Sequence, residues 1–231
     1  MAGRLIVIIL IALVLTILIG PQMWASSILK RYSFPRTDFP GNGEEFVKHL
    51  VDNLKLSFVS VESTDSGDHY DPTTSMVRLS AANMENRSLT AVVVAAHEVG
   101  HAIQHATNYR PFFWRIKLVV WANYAEKIGS GLMLAIPVVG LISRSPVASG
   151  VVMLMGLMTM LMAVMVHAIT LPVEWNASFS RALPILEKGQ YLEADDMKAA
   201  KKILLACALT YLAQSLMSLI NLWRWLRVLK R

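Results

Sequence analysis

One motif limits how this chain can fold more than any other feature. Positions 97–101 read H-E-V-G-H, an H-E-x-x-H pattern inside a run that predicts a helix. Residues four apart lie on the same face of a helix, so His97 and His101 can offer imidazole nitrogens to one ion. Glu98 is rotated by about 100° from His97, which places its carboxylate beside the ion, where a general base is needed. The motif therefore predicts a catalytic zinc site on a helix.

A catalytic zinc site needs a third protein ligand, with the fourth position left for water. Glu174 is the predicted third ligand, because it follows two apolar segments that would return the chain to the side of His97. Glu126, in a mostly apolar stretch, is the alternative. His105 lies about 12 Å along the helix from His97, too far to share the ion, and is predicted to support the site or to lie at the surface. His167 is predicted to be a packed, neutral side chain rather than a functional one.

The composition of the chain predicts a membrane protein. Of its 231 residues, 55% are apolar and only 16% are charged, and the mean hydropathy is +0.47, which is too apolar for an ordinary soluble domain. The net charge of +6 comes from scattered basic residues that flank apolar runs, so no nucleic-acid partner is expected. The lipid bilayer is instead the expected partner.

The apolar runs predict a mainly α membrane protein with about four transmembrane helices and a small α+β, zincin-like domain that carries the H-E-x-x-H helix. The predicted divisions are a transmembrane anchor over 1–24, the zincin-like domain over 25–115, a transmembrane hairpin over 116–172, a helical segment with the third zinc ligand over 173–202, and a transmembrane helix with a basic tail over 203–231.

Local patterns predict the elements of the zincin-like domain. They indicate a helix over 44–53, a strand over 56–62, a turn-rich segment over 64–71 and a second strand over 76–80. Ser88 is the predicted N-cap of the motif helix, which should end near Ala106. A short strand beside that helix offers an edge with which an extended substrate could pair.

Segments spread over most of the chain resemble one known family. They include D-H-Y-D-P at 68–72, V-R-L-S at 77–80, A-A-H-E-V-G-H-A-I-Q at 95–104, L-P-V-E at 171–174, N-A-S at 176–178, R-A-L at 181–183 and A-L-T-Y at 208–211. In these segments the chain resembles the YugP-type bacterial membrane zinc metallopeptidases, which belong to the neutral zinc metallopeptidase family.

The resemblance implies that His97 and His101 are zinc ligands, that Glu98 is the catalytic base and that Glu174 is the third ligand. Many relatives carry Asp at the position of Asn176. If this position orients a metal-bound histidine, the supporting hydrogen bond is neutral and weaker in this chain.

Together these features predict a membrane-anchored zinc endopeptidase that holds one Zn²⁺ per chain and cleaves membrane or membrane-proximal proteins. The candidate donors for the tetrahedral oxyanion are Tyr70, His105, Tyr109 and Arg181. The alternative function is a non-proteolytic zinc-binding membrane scaffold or assembly factor. Glu98 argues against it, because a structural zinc site has no use for a base.

Charge around the apolar runs predicts an orientation in the membrane. Basic residues follow the first apolar run, which places the zinc domain on the cytoplasmic face of a multi-pass protein in the bacterial inner membrane. Four basic residues at the C terminus argue for the opposite orientation.

Overall fold

Helices form most of the fold. The computed structural model describes Thr16 and residues 19–143 and 145–210. In chain order, its helices are residues 19–31 (α1), Gly43–Asn53 (α2), Ala81–Glu85 (α3), Leu89–Ala106 (α4), Arg110–Ser143 (α5), Pro146–Trp175 (α6), Leu183–Lys188 (α7) and residues 194–210 (α8). A π-helical segment, Asn176–Ala182, joins α6 to α7 directly.

Three short strands form a mixed sheet. They are Ser60–Ser63 (β1), His69–Asp71 (β2) and Met76–Leu79 (β3), in the order β1-β3-β2. The central strand β3 is parallel to β1 and antiparallel to β2, with Val77 opposite Tyr70. Val77 and Leu79 are fully buried, and β3 and β2 both pack against α4. The sheet therefore lies beside the helix that carries the H-E-x-x-H motif, with β1 and β2 as its two edge strands.

Helix α4 is the centre of the fold. Ser88 caps it as predicted, since its side chain accepts a hydrogen bond from the Ala91 amide at 3.1 Å. Fifteen of its eighteen residues are buried, against α2, the sheet, α3 and the π-helical segment. Val92 and Val99 are among them, and burial of each such side chain contributes about 1.5–3 kcal/mol. The motif is therefore held on a rigid element.

The predicted helices and strands agree with the structure where the sequence has a strong signal for the end of an element. Helix α2 agrees with the predicted helix over 44–53, and Asn42 and Glu45 form a capping box at its start. The strand predicted over 56–62 is wrong in its first half, because Leu56 and Val59 lie in hydrogen-bonded turns and β1 begins at Ser60. Strand β2 lies in the segment predicted to be turns, because three residues are too few to show an alternating pattern.

The prediction of about four transmembrane helices is wrong for the part of the chain that the structure describes. Within that part, no helix is both long enough and apolar enough to cross a bilayer. The predicted hairpin over 116–172 corresponds to α5 and α6, which pack along each other. Apolar runs serve helix packing as well as lipid contact, so composition did not separate the two.

The two other predicted membrane segments lie mostly beyond the described residues. The predicted anchor over 1–24 is described only at Thr16 and 19–24, and the predicted C-terminal helix over 203–231 only as far as residue 210. The described architecture is therefore a mainly helical fold with one small three-stranded sheet.

Helix α6 continues past Pro172, which the sequence placed at the end of the apolar segment. Proline lacks the amide hydrogen that would bond the carbonyl one turn earlier, so it often marks a helix end. Here the helix runs to Trp175 and passes straight into the π-helical segment. Glu174 therefore lies on the last turn of α6, on a continuous helical rod.

Candidate metal centre

Two helices bring three metal-ligating side chains together. His97 and His101 lie on α4, Glu174 lies on α6, and all three are buried. Glu174 Oε2 is 3.3 Å from His97 Nε2 and 3.2 Å from His101 Nε2, and the three ligand atoms lie within 4.8 Å of one another. Ligands about 2.0–2.1 Å from a tetrahedral Zn²⁺ are about 3.3–3.4 Å apart. The donor set and the two distances from Glu174 to the histidines therefore fit zinc.

The π-helical segment places its residues against the middle of the motif. The Leu183 amide donates to the Ser178 carbonyl, five residues earlier, and such wide turns are frequent at functional sites. A Cβ on Gly100 would lie only 2.7 Å from the carbonyl oxygen of Ala177. Glycine at position 100 is therefore what lets α4 approach the backbone that follows Glu174.

The ring of His97 is held by a serine on the π-helical segment. Ser178 Oγ lies 3.0 Å from His97 Nδ1 and 3.1 Å from the Leu204 carbonyl oxygen. A hydroxyl has one hydrogen, and Ser178 donates it to Leu204, so Ser178 accepts the Nδ1–H of His97. Nε2 of His97 is then left with its lone pair directed toward Glu174.

The ring of His101 is held in the same way by an amide. His101 Nδ1 donates to Gln104 Oε1 at 3.0 Å. Gln104 Nε2 in turn donates to the Val173 carbonyl oxygen at 2.8 Å and to Asn176 Oδ1 at 3.0 Å. Asn176 therefore acts on His101 through the hydrogen bond to Gln104, and not by the direct contact that the resemblance suggested.

These tautomers leave three acceptor atoms facing one another. When both imidazoles are neutral, as metal ligands must be, and donate their Nδ1 hydrogens outward, no hydrogen is left among His97 Nε2, His101 Nε2 and Glu174 Oε2. Three lone pairs converging in a buried site are unfavourable unless a cation lies between them. This arrangement is independent of the motif and also fits a bound metal ion.

The second oxygen of Glu174 contacts an arginine from α5. Arg115 Nη1 donates to Glu174 Oε1 at 2.8 Å, and the Glu174 side chain is 0% exposed. Burial raises the pKa of this carboxyl, but the two imidazoles and the Arg115 charge together hold it well below its usual range. Glu174 is therefore ionised, as a metal ligand must be.

Glu98 lines a cavity beside the three ligands. The cavity has a volume of about 500 Å³, and Glu98 itself is only 4% exposed. Burial raises the pKa of Glu98 to about 7. A carboxyl with this pKa can take up and release a proton near neutral pH.

The walls of this cavity come from several elements. Residues 66–70, which include the start of β2, form one side, and Phe112 and Arg115 of α5 form another. Leu29 of α1 and Cys207 and Thr210 of α8 also line it. Burial raises the pKa of the Cys207 thiol, so the thiol is neutral.

The four candidate oxyanion donors lie in different parts of the structure, and only some of them are near the cavity. Tyr70 lines the cavity, and its hydroxyl lies 2.8 Å from His105 Nδ1. His105 is half-buried behind Tyr70, and Tyr109 packs against the hydrophobic core. Arg181 lies in a different groove, with Lys188. Tyr70 is therefore the candidate that lines the same cavity as Glu98.

Two further candidates remain predictions. The side chains of Glu126 and His167 lie outside the part of the chain that the structure describes. The sequence interpretation also missed three residues of the site, namely Gln104, Ser178 and Arg115. Gln104 is three residues after His101 on the same helix, a spacing that could have revealed it. Arg115 has no local signal, because its approach to Glu174 depends on how α6 packs back along α5.

Comparison with known proteins shows the family of this chain. The family described as "Putative neutral zinc metallopeptidase" matches residues 6–230. The chain is 34% identical over 216 residues to "Putative membrane protease YugP" of Bacillus subtilis (strain 168). The aligned region covers 91% of this chain and 92% of that protein. No solved structure matches the chain. The resemblance inferred from the sequence is therefore confirmed, and the chain belongs to the neutral zinc metallopeptidase family.

Proposed function

We propose that this protein is a zinc-dependent endopeptidase that holds one Zn²⁺ per chain through His97, His101 and Glu174. The observation that carries the proposal is the convergence of these three ligand atoms within 4.8 Å beside the cavity that Glu98 lines. Membership of a zinc metallopeptidase family supports the choice of metal and of reaction. Glu98 in the same cavity favours catalysis over a zinc-binding scaffold, because a structural site has no open position that needs a base.

The residues around the ligands have distinct tasks in peptide hydrolysis. A zinc ion in this site would supply Lewis acidity to a peptide carbonyl and to water. Glu98 takes a proton from the attacking water and delivers it to the amine that leaves when the C–N bond breaks. Tyr70 is the donor on the cavity wall that can stabilise the negative charge on the carbonyl oxygen. Ser178 and Gln104 hold the imidazoles in the tautomers that metal binding requires.

The substrate we propose is an extended polypeptide segment. Strand β2 is one of the two edge strands of the sheet, and residues 66–70 at its start line the cavity. A peptide that pairs with this edge would place its backbone beside Glu98 without requiring a particular side chain. The length of this edge, three residues, favours short unfolded segments over folded surfaces.

We also propose that the protein associates with membranes and cleaves membrane-proximal segments. One relative is named a membrane protease. Large apolar side chains on α5 are exposed, including Trp121 at 65% and Ile142 at 80%, which supports contact with a lipid surface. Attaching a disordered reporter to vesicles should therefore raise its cleavage rate over that of the untethered reporter. Equal rates for the two reporters would contradict this part of the proposal. The cytoplasmic location of the site stays a prediction.

Metal removal tests the proposal directly. Cleavage of a disordered reporter should stop when zinc is chelated and return when one equivalent of zinc is added. Glu174→Gln should lose zinc binding and cleavage, whereas Glu126→Gln, which alters the alternative ligand, should keep both. Zinc content equal to wild type in Glu174→Gln, or cleavage that continues in the chelated protein, would refute the proposed metal site.

A further inference from the structure

The two oxygens of Glu174 have separate partners. Oε2 lies 3.2–3.3 Å from the Nε2 atoms of His97 and His101, while Oε1 accepts the hydrogen bond from Arg115 Nη1 at 2.8 Å. The carboxylate is completely buried, so bulk water does not compete for either oxygen. One oxygen therefore faces the histidines and the other is bound to an arginine on a third helix.

We propose that Arg115 is a positioning residue that restricts Glu174 to one oxygen toward the metal. The inference rests on the metal site proposed above. Carboxylates bind metal ions through one oxygen or through both. A catalytic zinc site holds three protein ligands and keeps a fourth position open. If Glu174 turned to offer both oxygens, Oε1 would occupy that position.

Arginine is suited to this task because of its geometry and its permanent charge. The guanidinium is planar, always protonated, and carries five N–H donors in a fixed arrangement. The Arg115 side chain is 21% exposed and lines the cavity, and its Nη1 reaches the buried Glu174. A charge-assisted bond of 2.8 Å is stronger than a neutral hydrogen bond, and rotating Glu174 would break it.

Arg115 also explains how the free protein tolerates a buried carboxylate. In the free protein His101 Nε2 lies at hydrogen-bond distance from Oε2, at 3.2 Å, and Oε1 is left to Arg115. Arg115 supplies the donor and the positive charge that a buried carboxylate requires. The ligand set is therefore kept in place before metal binds, with the carboxylate already turned to its binding orientation.

The test compares Arg115→Met with wild type by two measurements that do not depend on catalysis. The first is the zinc dissociation constant from competition with a chelating dye. The second is the visible spectrum of the Co²⁺-substituted protein, in which four-coordinate cobalt absorbs more strongly than five-coordinate cobalt. We expect Arg115→Met to bind zinc about 10- to 100-fold more weakly. We also expect its cobalt band to lose intensity, because Glu174 then offers both oxygens.

Matched variants separate this role from a general effect on α5. Arg115→Lys keeps a charged donor and should keep the four-coordinate spectrum. Arg110→Met removes an exposed arginine at the start of the same helix and should leave both measurements unchanged. If Arg115→Met does not fold, Arg115→Gln, which removes the charge, takes its place with the same expectation of weaker zinc binding.

The outcomes also separate this inference from the proposed function. If wild type binds neither zinc nor cobalt, the proposed metal site itself is wrong. If wild type binds both metals and Arg115→Met, or Arg115→Gln in its place, matches wild type in affinity and spectrum, the site stands and the positioning role is refuted.

Discussion

Replacing Gly100 with alanine should push apart the two segments that carry the metal ligands. The new Cβ would lie 2.7 Å from the Ala177 carbonyl oxygen, against an ordinary contact of 3.4 Å or more, so the backbones must separate by about 0.7 Å. Overpacking of this kind costs about 1–3 kcal/mol, and the better helix propensity of alanine returns about 1 kcal/mol. We expect a net loss of about 1 kcal/mol in the free energy of unfolding.

The effect on metal binding should be larger than the effect on stability. Metal–ligand distances tolerate changes of about 0.2 Å, less than the expected separation, so the zinc affinity of Gly100→Ala should fall at least about tenfold. Denaturant unfolding and zinc competition measure the two quantities. Gly131→Ala on α5 is the control, since its Cβ would meet no atom within 4 Å and should leave zinc affinity unchanged. Wild-type stability and zinc affinity in Gly100→Ala would refute the reasoning.

Three further predictions concern the surroundings of the site. Ser178→Ala removes the acceptor that holds one imidazole, so zinc should dissociate at about tenfold lower competitor concentrations, whereas the exposed Ser180→Ala should match wild type. Tyr70→Phe should retain zinc and cut reporters about 10²-fold more slowly, and unchanged kcat would exclude Tyr70 as the oxyanion donor. Partial burial raises the pKa of Asp71, but hydrogen bonds from two threonines and Arg78 together lower it below its usual range. Its contribution to stability is therefore full above about pH 4 and is lost as pH falls toward the lowered pKa, so Asp71→Asn should show a smaller loss of stability in acid melting curves.

The sequence predicts the residues of the site more completely than it predicts the fold around them. His97, Glu98 and His101 follow from helical spacing alone, because four residues make about one turn whatever the tertiary structure. The structure also brings Glu174 to these histidines. The sequence argument for Glu174 relied on a transmembrane hairpin, whereas in the described chain it reaches the site at the end of α6.

Other features could not be predicted because they depend on packing between distant segments. Pro172 signals a helix end locally, yet α6 continues, and Gln104 on α4 donates to the neighbouring Val173 carbonyl. Arg115 approaches Glu174 only because α6 packs back along α5. Apolar composition indicated two long helices over 116–172 but wrongly predicted that they cross a bilayer, because helix packing and lipid contact select similar residues.

The most direct test of the proposed function measures zinc content and reporter cleavage side by side in wild type and Glu98→Gln. Glutamine keeps the shape of the side chain but cannot accept and return a proton. The proposal predicts about one zinc per chain in both proteins and cleavage by wild type alone, with the variant slower by at least about 10²-fold. Cleavage by Glu98→Gln at the wild-type rate, or a wild-type protein that holds no zinc, would contradict it.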